Sequence, residues 1–319
     1  MSYLVLKRGM TLGHSIEDYP DGIVVVVDKP YRWTSADVIR KVKWMAVKHF
    51  GKRNLKVGHA GTLDPLATGV LLVCIGKATK LAEEFQKAPK QYIAGVTFGA
   101  TTASYDLEKE VDARYPLDGV SQEALLKVLP GFVGEQDQVA PLFSAKSVDG
   151  VRVYELARKR YKAGLPVEEP GLLRASRINI YDMQLLSYAS RQKTPKMTAT
   201  PVSEQGLPTK TAENVGIPEA GGAPPQAGKD ASRAADRLWG TTLQVSTASS
   251  RINVADVPEG LPQAEILVDC SKGTYIRALA RDLGEALGSG AFLHSLRRTR
   301  NGGFTIDDAL SIEDIAGIL

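Results

Sequence analysis

Short runs of unbroken apolar residues constrain this chain most. GIVVVVDKP (22–30) and GVLLVCIG (69–76) are apolar at successive positions, as strands buried on both faces are. Pro30 ends the first run, because proline cannot donate to a sheet ladder. AEILVDCS (264–271) carries a third such signal, and KQYIAGVTFGATT (90–102) a fourth, rich in β-branched and aromatic residues. Helical patterns lie between them. TSADVIRKVKWMAVKHF has Thr34 or Ser35 as a cap and an apolar stripe at Val38, Val42, Met45 and Ala46. KATKLAEEFQKA, SQEALLKVLPGF with Ser121 as cap, and GTYIRALARDLGEALG stopped by Gly288 also read as helices. PLFSAKSVDGVRVYELARKR begins as a loop and ends as a short helix, and LLRASRINIYDMQLLSY supplies one or two strands. Strands and helices alternate irregularly. That favours a mixed-sheet α/β or α+β domain over a regular parallel barrel.

Composition divides the chain. Residues 1–20 read as an N-terminal extension. Residues 189–237 are dense in Pro, Gly, Ala, Ser, Thr and charge, with almost no large apolar side chain. Such a segment cannot bury enough surface to offset the entropy of ordering it, so it reads as a flexible, low-complexity insertion. Residues 21–188 and 238–319 then form a single domain, with strand signals resuming at LWGTTLQVST.

The net charge of +4 says little, but its distribution says more. Between Asp28 and Lys56 nine basic residues face two acids, and Arg297, Arg298 and Arg300 cluster near the end. Basic clusters suit a polyanion such as RNA or form a solvated helix face. Cys74 and Cys270 sit in separate apolar runs without metal-ligand spacing, and the four histidines are scattered, so no metal site is expected. No apolar run has the length of a membrane helix and the N-terminus lacks a signal-peptide core, so a cytoplasmic protein is expected.

KVGHAGTLDPLATGVLLVCIG (56–76) poses a chemical question, because it sets one carboxylate, Asp64, among glycines and leucines. Asp before Pro is a common turn or helix start, with Asp64 as cap and Pro65 in the first helical position. A metal role needs partner ligands, and only His59 is near. A catalytic role needs a carboxylate in a fixed, glycine-lined loop against a dry wall; Gly58, Gly61 and Gly69 permit close approach and Leu63, Leu66, Val70, Leu71 and Leu72 supply the wall. A buried carboxylate is costly unless paired, and Arg277 in SKGTYIRAL is a candidate partner.

GHAGTLDPLATGVL resembles the catalytic-aspartate motif of the TruB family of tRNA pseudouridine synthases. Four further segments agree in order: GIVVVVDKPYRWTSADVIRKVK, KQYIAGVTFGATTASYDLEKE, PLFSAKSVDGVRVYELARKR (the family's RNA-gripping insertion) and VDCSKGTYIRALARDLGEALGSGAFLHSLRRTRNGGFT. The resemblance covers roughly residues 22–188 and 238–310. It implies an α+β pseudouridine synthase fold, a mixed and largely antiparallel central sheet flanked by helices and loops, with an RNA-binding insertion. It implies isomerisation of a uridine to pseudouridine in the T-loop of tRNA, at position 55, by base flipping. Asp64 is then the essential aspartate and Arg277 its partner. Tyr92 packs against the target base, Leu296 lines the uracil pocket, His59 stacks near the flipped nucleotide, and Lys29 and Pro30 brace the loop. The basic helix after Thr34, Lys146, Arg158–Arg160 and Arg297–Arg300 meet phosphates. The reaction needs no cofactor or metal. The partner is the tRNA T-stem-loop, with no obligate protein partner, and a monomer is expected. The family's C-terminal PUA domain has no evident counterpart, which disfavours the RNA-guided branch of the superfamily. The competing reading is an RNA-binding, tRNA-folding chaperone with incidental catalysis.

Overall fold

The computed structural model describes residues 3–144, 146–148, 151–165, 167, 171–190, 252 and 254–319. Residues 191–251, which hold nearly all of the predicted insertion and the LWGTTLQVST strand signal, lie outside the described residues. The described residues all belong to one compact unit of the chain.

The strands, in chain order, are β1 (Leu4–Val5), β2 (Ile23–Lys29), β3 (Val57–His59), β4 (Ala67–Ile75), β5 (Lys90–Phe98), β6 (Ala100–Thr102), β7 (Val111–Arg114), β8 (Gly134–Gln138), β9 (Ser147–Val148), β10 (Val151–Arg152), β11 (Ser176–Ala189), β12 (Gln263–Cys270), β13 (Ala291–Asn301) and β14 (Phe304–Thr305). The helices are α1 (Ser35–Phe50), α2 (Ala82–Lys87), α3 (Gln122–Val128), α4 (Val153–Lys162), α5 (Ile276–Ala286) and α6 (Ile312–Ala316). Ten strands form the main sheet in the order β1-β2-β4-β13-β5-β12-β11-β8, with β3 also on β4 and β14 on β13. The β1–β2 and β13–β4 pairs are parallel and the other pairs of this sheet antiparallel. This is the mixed, largely antiparallel α+β sheet that the resemblance implies.

The apolar runs take the places their composition requires. β2 and β4 are buried almost throughout and pair from Ile23–Ile75 to Lys29–Gly69. α1 lays Val38, Val42, Met45 and Ala46 into the core that holds Val25, Val27, Leu71 and Val73. Each of these buried Val, Leu and Met side chains contributes about 1.5–3 kcal/mol. Thr34 and Asp37 close the start of α1 with a capping box, and Gly51 at φ 64° ends it. The stretch read as an N-terminal extension is built into the same domain: Leu4 and Val5 add a strand beside β2, and Leu6, Leu12 and Ile16 are buried in the main core.

Leu142, Phe143, Val153 and Ala157, with Leu173, form a small separate core. KATKLAEEFQKA divides into a 3-10 turn and the short α2, and Gly99, at φ 92°, separates β5 from β6. The longest departure from sequence expectation is β13. AFLHSLRRTRN gives no clean alternation, because it bulges between Leu293 and Ser295 and again between Arg298 and Arg300.

The parallel β13–β4 pair depends on one glycine. Gly69 stands opposite Arg298 with φ +97°, and a Cβ there would lie 2.2 Å from the Arg298 carbonyl oxygen. Gly69→Ala is therefore expected to cost about 2–4 kcal/mol in urea unfolding, from backbone strain plus a forced separation of the strands. A loss below about 0.5 kcal/mol, the size of an ordinary surface change, would contradict this packing.

Candidate active site

Asp64 begins a turn that leads into β4, closed by the Ala67 amide donating to the Asp64 carbonyl at 3.1 Å. Pro65 thus sits in a turn that leads into a strand and not in a helix, so Asp-Pro is the turn pair and not the helix cap. The loop is fastened along its length. The Leu63 amide donates to Ser35 Oγ at 2.9 Å, and the Arg32 amide donates to the Pro65 carbonyl at 3.0 Å. Lys29 is fully buried, and its ammonium donates to the carbonyls of Pro30 (2.9 Å), Trp33 and Pro65 (3.2 Å). The Lys-Pro pair thus ties the end of β2 to the turn after Asp64.

Arg277 is the second residue of α5 and its side chain is only 5% exposed, whereas that of Asp64 is 38% exposed. The buried charge of the site is the arginine. Its Nε donates to Asp64 Oδ2 at 2.9 Å, one terminal nitrogen to the Ser104 carbonyl at 3.0 Å, and the other to the Phe143 carbonyl at 2.8 Å. Asp106 Oδ2 lies 3.6 Å from the same Nε. Burial alone lowers the Arg277 pKa, but Asp64 and Asp106 outweigh it and hold the guanidinium above its ordinary value. Burial raises the carboxyl of Asp106, which Arg277 and the hydrogen bond from Ser104 partly offset.

Asp64, Asp106 and Arg277 line one cleft with Leu66, Ala67, Leu293, His294, Ser295 and Leu296. Of the residues singled out in the sequence, Asp64, Arg277 and Leu296 therefore meet there. Tyr92 and His59 are not in its wall. Tyr92 sits on β5 opposite Arg298, two pairs along from Ala94–Leu296, and is 9% exposed. Burial raises its phenol pKa. His59 lies on β3 opposite Val73, half-buried, with Nδ1 enclosed and unpartnered; burial, then Arg298, lowers its pKa. Among the described residues no group of three or more His, Cys, Asp or Glu could hold a metal ion. No helix among them is long and apolar enough to cross a membrane.

Comparison with known proteins decides the family. The N-terminal domain model of TruB family pseudouridylate synthases matches residues 48–204, and that of the tRNA pseudouridylate synthase B C-terminal domain matches 277–319. The tRNA pseudouridine synthase B of Bacteroides thetaiotaomicron is 40% identical over 296 residues, 93% of this chain and 92% of that protein. That of Phocaeicola vulgatus is 38% identical over the same shares. The chain belongs to the TruB family.

The TruB fold is also that of a solved Cbf5–Nop10–Gar1 complex, matched with a TM-score of 0.52 at 21% identity. That match covers 95% of this chain and 56% of the other, so this chain spans little more than half the length of the solved chain.

Two readings of the TruB site change with the structure. Asp106, in the turn of SYDLEKE, joins Asp64 on Arg277. Arg298 is not a phosphate contact: it is 1% exposed, while Arg297 pairs with Asp28 at 2.9 Å and Arg300 pairs with Asp269. Arg298 passed as one of a basic cluster because β13 was not read as a strand. With that strand in register, alternation sets Arg298 on the same face as Leu296.

Lys29 gives a test by pH. Burial lowers its pKa from 10.5 to about 7, partly countered by Asp64. Between those values the unfolded chain holds a proton that the folded chain lacks, so wild-type stability rises with pH across that window. Unfolding of wild type and Lys29→Met, followed from pH 7 to 10.5, is expected to show the difference moving in favour of wild type. A pH-independent difference would mean that Lys29 keeps its charge throughout.

Proposed function

We propose that this chain isomerises a uridine of tRNA to pseudouridine, acting on the T-loop at position 55 with Asp64 as the essential carboxylate. One observation carries the reading: the cleft holds a half-open aspartate whose orientation is set by a buried arginine, against an apolar wall of Leu66, Leu293 and Leu296. The reaction breaks the N1–C1′ bond, turns the uracil, and joins C5 to C1′. The proton leaving C5 is matched by one gained at N1, so no atom or electron enters from outside. The chemistry asks for a carboxylate held against one face of a flipped nucleoside, and for walls that replace lost base stacking.

Each side chain then has a task. Asp64, exposed enough to reach the nucleoside, opens the reaction. Arg277 fixes its orientation through a charge-assisted bond. Leu296 and Leu66 pack against the uracil, Tyr92 lies two residue pairs along on the Leu296 face, and His59 stacks near the nucleotide. Phosphate contacts fall to surface cations: half-buried Lys41 and exposed Lys48, which flank the Trp44 ring at 5.2 and 5.4 Å, and exposed Arg158, stacked on Tyr154 at 4.3 Å. The chain would act in the cytoplasm on tRNA alone, as a monomer without a protein partner.

Asp64→Asn tests the assignment. Pseudouridine formation on a T-arm transcript is expected to disappear, while transcript binding stays within about threefold, since the amide preserves shape and removes the charge. Retained modification would exclude Asp64 as the essential group. Mapping of total tRNA treated with wild type is expected to show the change at the T-loop uridine; a change only elsewhere would refute the position and leave the chemistry standing.

A further inference from the structure

Arg298 is the largest of the fully buried side chains, and among the described residues no carboxylate pairs with it. A buried cation is an expensive way to fill a core. Its bonds show where the return lies. Nε donates to the Val70 carbonyl at 2.7 Å and a terminal nitrogen donates to the Gly61 carbonyl at 3.2 Å. Tyr92 is its cross-strand neighbour on β5, and the guanidinium charge acts on the phenol. Gly61 precedes Asp64 by three residues and Val70 follows it by six, so one planar group joins the two legs of the loop that carries the carboxylate. Gly61 itself stands at φ +92°, with the position its Cβ would take 3.8 Å from the guanidinium. Asn301 adds a bond from the same strand to the Ala60 carbonyl at 3.3 Å.

We infer that Arg298 is a positioning residue for the reaction: it fixes the backbone under Asp64 and the side chain of Tyr92 in one register, so that carboxylate and phenol address the same nucleoside. This rests on the reading of Asp64 given above. Arg277 and Arg298 divide the work, the first holding the Asp64 side chain and the second its main chain. Lysine cannot take the second role, because a single ammonium lacks the planar fork that reaches two carbonyls and a neighbouring side chain from one buried centre.

The test is Arg298→Lys, with Arg298→Gln as a shorter, neutral variant that keeps an amide donor should the lysine protein not be recovered folded. Single-turnover pseudouridine formation is expected to fall about 10- to 100-fold, the usual cost of misplacing a reacting group by up to an ångström. Binding of the same transcript should stay within about threefold, and amide exchange should rise in residues 59–70 while the β5 and β12 amides stay protected. A role in stability alone would raise exchange throughout the sheet and leave the rate per folded molecule unchanged, which would overturn the inference. So would a rate within twofold of wild type. Asp64→Asn in the same assay separates the two ideas. If it is inactive and Arg298→Lys is normal, only the positioning role fails. If Asp64→Asn is active, the reading beneath it fails.

Discussion

The site depends on the cost of burying Arg277. A guanidinium almost out of solvent, at the start of α5, also faces the positive end of that helix dipole. Nothing about the helix welcomes it there. It is held because four partners from three other parts of the chain converge on it: Asp64 from the loop before β4, Ser104 and Asp106 from the turn after β6, and Phe143 from the segment between β8 and β9. Removing any one leaves a buried charge less compensated, which is costly. The arginine therefore welds into one geometry three segments far apart in sequence.

That arrangement explains why the carboxylate can be open to solvent. Asp64 needs no burial to be held, since Arg277 is the rigid member of the pair. The loop around Asp64 is fastened from beneath by Lys29, Ser35 and Arg298, each bonding a main-chain group. A flexible, glycine-bearing loop is thereby made stiff without filling the space next to its aspartate. The free face of the carboxylate is left for a ligand.

Much of this was legible in the sequence. The unbroken apolar runs announced β2 and β4, and a cap at Thr34 or Ser35 with an apolar stripe behind it announced α1, because these depend on local spacing alone. Asp64 stood out because a charge among glycines and leucines needs a reason; Arg277 was a candidate counter-charge that the family resemblance singled out. The rest lay in sheet register. Arg298 looked like one arginine of a solvated cluster until pairing with β5 set it opposite Tyr92. The bulges of β13 conceal the two-residue period that would have turned it inward. Asp106 was hidden for another reason. Its turn and α5 are separated by most of the chain, and only tertiary packing brings it to Arg277.

The central claim is that Arg277 acts by orienting Asp64 and not by gripping RNA. The most direct measurement is single-turnover pseudouridine formation by Arg277→Lys, set against its affinity for the same T-arm transcript. Lysine keeps the charge but cannot serve Asp64, Ser104 and Phe143 together. The account predicts a rate lower by about 100-fold with affinity within about threefold. A near-normal rate, or a loss confined to affinity, would contradict it.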